Sequence, residues 1–357
     1  MKVAVAYEAG QPLVVEDLPV PPIGPRDVLV RISASGICHT DLHVIEGKSA
    51  LPLPIVPGHE ACGIALETGP EVRRVKPGDR VLASVAPACG ECWWCVNGMS
   101  NHCDLNSAKN QPRFRLADGR SAGAVCGCGT FAEAMVVAEA SLVAVQTSLG
   151  DEELALLGCG VTTGLAAVLN TARVTPGSSV AVIGCGGVGQ SVIQGARIAG
   201  AAVIIAIDPV AARREGSLRV GATHAVDPAD GNPVEQVRAL THGRGADYSF
   251  EVVGRPELMV QAFNMARTAG SVTLLGMPAV TDTLTLPAIQ AVFSGKRLSG
   301  APTGGAQILR DFPRFIGLAE AGRLDLTAMV SQRITLEEIN KGIGLVHRAE
   351  GVRTVIV

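Results

Sequence analysis

The 357-residue sequence predicts an α/β protein, a β-rich tract followed by a doubly wound parallel sheet. Two observations carry this. Short β-branched runs broken by proline and glycine turns occupy the chain up to Val137, and from about Gly160 apolar strands alternate with helical stretches. Such alternation is how parallel strands are joined through right-handed crossovers.

In order along the chain, Lys2 to Tyr7 and Asp27 to Ser33 read as strands, separated by the turn-forming Pro21-Pro22-Ile23-Gly24-Pro25. Pro77-Gly78-Asp79 turns the chain into a strand through Val81 and Leu82, and Phe131 to Val137 reads as another. In the alternating region, strands are expected at Val180 to Ile183, Val203 to Ile207, Tyr248 to Val253 and Val272 to Leu275. Helices are expected at Gly187 to Ala199 and Arg213 to Val220. A last helix, Leu336 to Val346, and a last strand, Thr354 to Val357, are short enough that they are expected to rejoin the first tract.

The length suits two domains, and 47% hydrophobic residues, 42 glycines and 18% charged residues describe a globular chain rich in tight turns. A net charge of -3 gives no global electrostatic attraction to nucleic acid or to an anionic membrane. Neither a signal peptide nor an apolar run long enough to span a bilayer is evident, so a cytoplasmic location is expected. In a reducing compartment the ten cysteines read as metal ligands and small buried residues rather than disulfides.

Three constellations carry chemistry. Cys89, Cys92, Cys95 and Cys103 form C-x2-C-x2-C-x7-C, and four thiolates fill the tetrahedral shell of a structural zinc. An iron–sulfur reading is disfavoured because the fourth cysteine comes late and precedes Asp104 rather than proline. Cys38, His59 and Cys159 form a second, dispersed set. Two thiolates and an imidazole would leave a fourth position open, although each residue taken singly reads more readily as a buried core thiol or a turn histidine. The third is Gly184-Cys185-Gly186-Gly187-Val188-Gly189, placed between a strand and a helix, where glycines let a pyrophosphate approach the helix N-terminus. Asp208, 24 residues after Gly184, stands at the offset of a carboxylate that binds ribose hydroxyls, which favours NAD. Arg213 and Arg214 keep NADP as a minority reading.

With these residues assembled, the sequence resembles the zinc-containing alcohol dehydrogenases of the medium-chain dehydrogenase/reductase family over essentially its whole length. Gly58-His59-Glu60, spaced to Gly63, Gly69 and Val72, is similar to that family's zinc signature, and the cysteine lobe and glycine fingerprint follow in the family's order. The Cys2His set is already known for alcohol dehydrogenases, and it is the resemblance that implies Cys159 as third ligand. It implies a GroES-like catalytic domain over 1–160 with the zinc lobe 89–103, a Rossmann domain over 161–302, and a return to the catalytic domain over 303–357.

The resemblance also implies two zinc ions per chain and NAD as cofactor. Thr40 matches the hydroxyl that contacts the alcohol, His43 the outer end of a proton relay, and Asp41 and Glu60 carboxylates beside the catalytic zinc. Arg353 and His39 match positions that contact the cofactor pyrophosphate; many relatives carry arginine where His39 stands. Arg213 joins Asp208 among the cofactor-binding positions.

The implied reaction is hydride transfer between a primary alcohol and NAD to give the aldehyde. By rough alignment Ser49, Val85 and Val125 line the pocket and are small, so a bulky, aromatic or long-chain alcohol is expected. Rival readings are a glutathione-dependent formaldehyde dehydrogenase, a polyol dehydrogenase, and a nicotinoprotein that never releases its cofactor. A non-catalytic, zinc-stabilised binding protein is the alternative outside enzymes. A homodimer or homotetramer is implied, with Val292 to Ala301 in the dimer interface.

Overall fold

The computed structural model describes residues 1–49, 51–107 and 112–357. They form two compact units, one of Met1–Cys159, Gln307–Gly322 and Leu326–Val357, the other of Gly160–Ala306 with Arg323–Asp325.

In the first unit the described residues build a sheet in the order Leu142–Ala144, Arg80–Ala83, Glu60–Thr68, Asp27–Gly36, Arg353–Ile356 and Val330–Ile334, with Ala134–Ala138 also paired to Asp27–Gly36. Asp27–Gly36 alternates inward Val28 and Val30 with less buried neighbours, then becomes buried throughout from Ala34 to Gly36. That buried end sets the register that matters. Gly36 lies opposite Glu60 on one side and opposite Val355 on the other, so three distant stretches meet at one point of the sheet. The short helix His39–Ile45 follows at once, its Leu42, Val44 and Ile45 packed with Ile37, Ile55, Phe131 and Ile339.

In the second unit the described strands run parallel in the order His224–Val226, Val203–Ile207, Ser179–Ile183, Ala246–Glu251, Ala266–Leu274 and Arg297–Gly300. Val180 and Val182 face one apolar cluster with Ile204 and Phe250, while Ala181 and Ile183 face the opposite cluster with Ile205 and Ile207. Both faces are therefore covered, as an all-parallel sheet requires. The first strand of this unit is central, with the next two strands on one side of it and the last three on the other, which puts a topological switch point between Ser179–Ile183 and Ala246–Glu251.

One strand ends earlier than its sequence suggests. Val252 and Val253 extend a β-branched run, yet the strand stops at Glu251, because the Glu251 side chain accepts hydrogen bonds from the Val253 and Gly254 backbone N–H groups and curls the chain into a turn.

Near the other end of that strand Asp247 ties two neighbours together through three hydrogen bonds. It accepts from the Ser179 backbone N–H at 2.8 Å and hydroxyl at 2.7 Å, and from Arg267 Nε at 2.6 Å. Burial pushes its carboxyl up, but the Ser179 N–H and Arg267 outweigh that and hold it below the usual carboxylate range. A depressed folded pKa stabilises the fold above the unfolded pKa and ceases to do so as pH falls through the folded value. Asp247→Asn should therefore lower Tm by a few degrees at neutral pH, and the gap to wild type should close below about pH 4 in a thermal melt series. A gap that stays constant down to acid pH would count against this account.

Candidate functional site

Cys38, two residues past the buried end of strand Asp27–Gly36, is the N-cap of helix His39–Ile45, and Asp41 occupies the third position of that helix. The Asp41 carboxylate is fully buried and accepts three hydrogen bonds: from the Cys38 N–H at 3.0 Å, the Gly58 N–H at 2.9 Å and His59 Nδ1 at 3.0 Å. One side chain thus clamps the two segments that the sheet register has already made neighbours. Cys159 arrives from far along the chain because Gly158 lies against them; a Cβ at Gly158 would sit 2.7 Å from the Ala83 carbonyl oxygen and 3.1 Å from Glu60 Cα.

The result is a cluster of Cys38, His59, Glu60 and Cys159 whose ligand atoms all lie within 4.8 Å of one another. With Nδ1 committed to Asp41, His59 presents Nε2, buried and without a hydrogen-bond partner among the described residues, to the thiols. That arrangement fixes the tautomer needed to ligate a metal. A hydrogen bond from Cys159 holds the Cys38 thiol well below its ordinary range against the upward push of burial, with Arg353 and His59 contributing positive charge. Burial would lower the His59 pKa, but the Asp41 carboxylate and then Cys159 raise it well above normal. Two soft sulfur donors, a buried imidazole with a free lone-pair direction and a nearby carboxylate fit zinc.

Thr40 is half-buried, with its hydroxyl 3.8 Å from Cys38 Sγ. His43 is half-buried near the C-terminal end of the same helix, whereas His39 at its start is exposed. Arg353 is only 6% exposed; its guanidinium lies 3.4 Å from Glu60 Oε1 and donates to the Ile37 carbonyl at 3.3 Å. Burial disfavours its charge, and the surrounding Glu60, Cys38 and Cys159 more than restore it. Val85 and Val125 are buried and Ser49 is half-buried.

The second cluster is the lobe of Cys89, Cys92, Cys95 and Cys103, again with all sulfurs within 4.8 Å of one another. Its sulfurs are unbonded, at 3.8 Å for Cys89–Cys95 and 3.9 Å for Cys92–Cys103. Backbone N–H groups point at them: Glu91 and Cys92 donate to Cys89 Sγ, and Cys89 donates to Cys103 Sγ. N–H groups of Asp104 and Cys95 bring the Cys92 thiol down to about 7. Four convergent sulfurs with thiolate-stabilising donors fit a closed tetrahedral zinc site.

In the other unit, helix Gly187–Ile198 begins directly after Gly184 and Gly186, at the carboxyl end of strand Ser179–Ile183. A Cβ on Gly189 would lie 1.9 Å from the Gly184 carbonyl oxygen, so the turn closes only around glycine. Asp208, at the end of the next strand, accepts from the Cys185 N–H at 2.7 Å and the Val210 N–H at 2.8 Å. Arg214 is occupied with the Asp208 carbonyl and Asp227, while Arg213 lies 3.9 Å from Asp208 beside Gly186. Val188 and Gly187 form the first turn of the helix, whose N-terminal N–H groups suit a phosphate.

The chain matches a family model described as the alcohol dehydrogenase GroES-like domain over residues 24–147, and one described as zinc-binding dehydrogenase over 187–321. It is 37% identical over 366 residues to an S-(hydroxymethyl)glutathione dehydrogenase of Synechocystis sp., covering 99% of each chain. The chain belongs to the zinc-containing alcohol dehydrogenases of the medium-chain dehydrogenase/reductase family. Within that family it is also 38% identical over 368 residues to an NDMA-dependent alcohol dehydrogenase of Amycolatopsis methanolica, covering 100% of this chain and 98% of that one. The structure of benzyl alcohol dehydrogenase from Acinetobacter calcoaceticus superposes with a TM-score of 0.92 at 29% identity, over 99% of this chain and 98% of that one. As a member of this family it is a zinc-dependent oxidoreductase of alcohols, with a GroES-like domain and a Rossmann-type parallel sheet.

Two features of the site lay beyond sequence reasoning. The threefold grip of Asp41 had a partial signal, since a carboxylate three residues after an N-cap can accept the cap's own N–H. The burial of Arg353 against Glu60 had none, because it follows from the pairing of the last strand with Asp27–Gly36.

Proposed function

We propose that this enzyme interconverts a primary alcohol and its aldehyde with NAD, at the centre formed by Cys38, His59 and Cys159. The observation that carries the reading is the buried, unpartnered Nε2 of His59, aimed among two thiols and held by Asp41. Zinc bound there supplies Lewis acidity toward the substrate oxygen, and NAD supplies the hydride acceptor. Cys38, His59 and Cys159 hold the metal; Glu60, tethered by Arg353, stands beside it as a further carboxylate. Thr40 accepts a hydrogen bond from the substrate hydroxyl and hands on its proton. His43, three residues along the helix and so on a neighbouring part of its surface, is the titratable group that carries the proton toward solvent. Cys89, Cys92, Cys95 and Cys103 hold the structural zinc. Gly184, Gly186, Gly187, Val188 and Gly189 seat the cofactor phosphates, with Asp208 on the adenosine ribose.

Small apolar Val85 and Val125 support a bulky, aromatic or long-chain alcohol, as does the name of the Acinetobacter neighbour. The name of the Synechocystis relative supports one rival, S-(hydroxymethyl)glutathione as substrate; a second rival is a nicotinoprotein whose cofactor stays bound. We place a second copy of the chain on the edge strand Arg297–Gly300, which among the described residues pairs on one side only, with Ala266–Leu274, and is flanked by the exposed Val292 and Phe293.

One preparation tests these readings. Metal analysis should give two zinc ions per chain, NAD should outperform NADP, benzyl alcohol and octanol should exceed ethanol in kcat/KM, and light scattering should give a dimer or a multiple of it. Ethanol as the best alcohol would sink the bulky-substrate reading. Oxidation of formaldehyde only with glutathione, or activity only with an artificial electron acceptor and a copurified nicotinamide, would select the corresponding rival.

A further inference from the structure

Glu251 is a fully buried carboxyl group that the mechanism does not use. It ends strand Ala246–Glu251, next to the strand that runs into the glycine fingerprint, and so lies at the switch point of the sheet where dinucleotides bind. Oε1 accepts from the N–H groups of Val253 and Gly254, both at 2.8 Å, while Oε2 has no hydrogen-bond partner among the described residues. Its backbone carbonyl accepts from the Leu275 N–H at 2.8 Å and the Gly276 N–H at 3.2 Å, joining the next loop to the same residue.

The turn that Glu251 curls is wedged between two backbones. A Cβ at Gly184 would lie 2.6 Å from Val253 Cγ2 and 3.0 Å from Val252 Cγ2, so both valines press on the first fingerprint glycine. On the other side a Cβ at Gly276 would lie 1.9 Å from the Gly254 nitrogen. Any change in the height of the Val252–Val253–Gly254 turn is therefore passed to the loop that seats the cofactor.

We infer that Glu251 is a positioning residue for the dinucleotide, its carboxyl group clasping the Val252–Val253–Gly254 turn against Gly184. This rests on the NAD reading above. The clasp needs an acceptor, since Oε1 takes both N–H groups; burial raises the Glu251 pKa although the N–H groups of Gly254, Val253 and Arg255 pull it down. A glutamine offers the same acceptor in the same shape.

The test is NADH binding to the zinc-loaded enzyme, followed by nicotinamide fluorescence, together with steady-state kinetics and thermal melts. Glu251→Ala should weaken NADH binding and raise KM for NAD by about 10- to 100-fold, because two buried N–H groups lose their acceptor, with kcat changed far less. Glu251→Gln should restore wild-type binding. A Glu251→Ala enzyme that melts earlier but binds NADH as wild type does would show a merely structural role and overturn the inference. So would a Glu251→Gln enzyme as impaired as Glu251→Ala, which would mean that the charge matters. Wild-type enzyme that binds no NADH while still carrying two zinc ions would overturn the NAD reading and this inference together, whereas equal binding by wild type and all variants overturns the inference alone.

Discussion

His59→Ala should reduce kcat/KM for alcohol oxidation by at least about 10³-fold while leaving one zinc ion per chain. The size follows from what the imidazole does. It is the only nitrogen donor of the Cys38, His59, Glu60 and Cys159 cluster, and its Nε2 is free to ligate because Nδ1 is fixed on Asp41. Removing it leaves two thiols, a carboxylate and a void, and the Lewis acid that activates the substrate is lost or misplaced. The zinc of the cysteine lobe draws on separate residues, so metal analysis should fall from two to one per chain instead of to zero. NADH binding should persist, since the fingerprint and Asp208 belong to the other unit. Full activity with one zinc would mean that the buried cluster is not the catalytic centre.

Asp41→Asn is the graded version of the same experiment. Asparagine keeps one oxygen acceptor but turns an amide NH2 toward donors that now face a carboxylate, so the Cys38 N–H, the Gly58 N–H and His59 Nδ1 cannot all be satisfied. Loss of such a supporting partner typically costs about 10- to 100-fold in metal affinity or activity. The ordering His59→Ala below Asp41→Asn below wild type, in both zinc retention and rate, separates a ligand from the residue that orients it.

This asymmetry also marks where the sequence is readable. The parallel unit could be read because Val180 to Ile183 and Val203 to Ile207 are unbroken apolar runs whose alternate residues are buried on opposite faces. The cysteine lobe could be read because its four ligands lie within one short loop. The dispersed cluster could not be closed from spacing alone. Nothing in the pattern around Cys159 points to His59, and the family resemblance had to supply it. In the fold, the link is made by the packing of Gly158 on Glu60 and by the Gly36–Glu60 register. Val252 and Val253 misled for a related reason: branched side chains favour a strand, but the side-chain clasp of Glu251 ends it. Local propensity sees neighbours in the chain, whereas these features are set by partners in space.

Cys103→Ser should unfold the cysteine lobe locally while the rest of the chain keeps its structure. The lobe has little to hold it together without metal. Its helix Trp93–Val96 has no buried residue, and Trp93 and Val96 are 61% and 66% exposed, so apolar burial contributes little there. Among the described residues, ties to the rest of the unit include Arg26 paired with Glu91 at the surface and Gln307 donating to the Gly98 carbonyl. Structural zinc, by contrast, contributes about 10–16 kcal/mol in small zinc-bound peptides, as much as the net stability of many whole domains. Serine replaces a buried sulfur that accepts the Cys89 N–H and lies 3.9 Å from Cys92 Sγ, which opens the tetrahedral shell. The readout is built in, because both tryptophans of the chain sit in this lobe, edge to face with centroids 4.9 Å apart and Trp94 beside His102. The variant should lose one zinc and the near-ultraviolet dichroism of the tryptophan pair, with far-ultraviolet dichroism nearly unchanged. Retained tryptophan dichroism after loss of that zinc would show that protein contacts alone hold the lobe, and the metal would then have no structural role there.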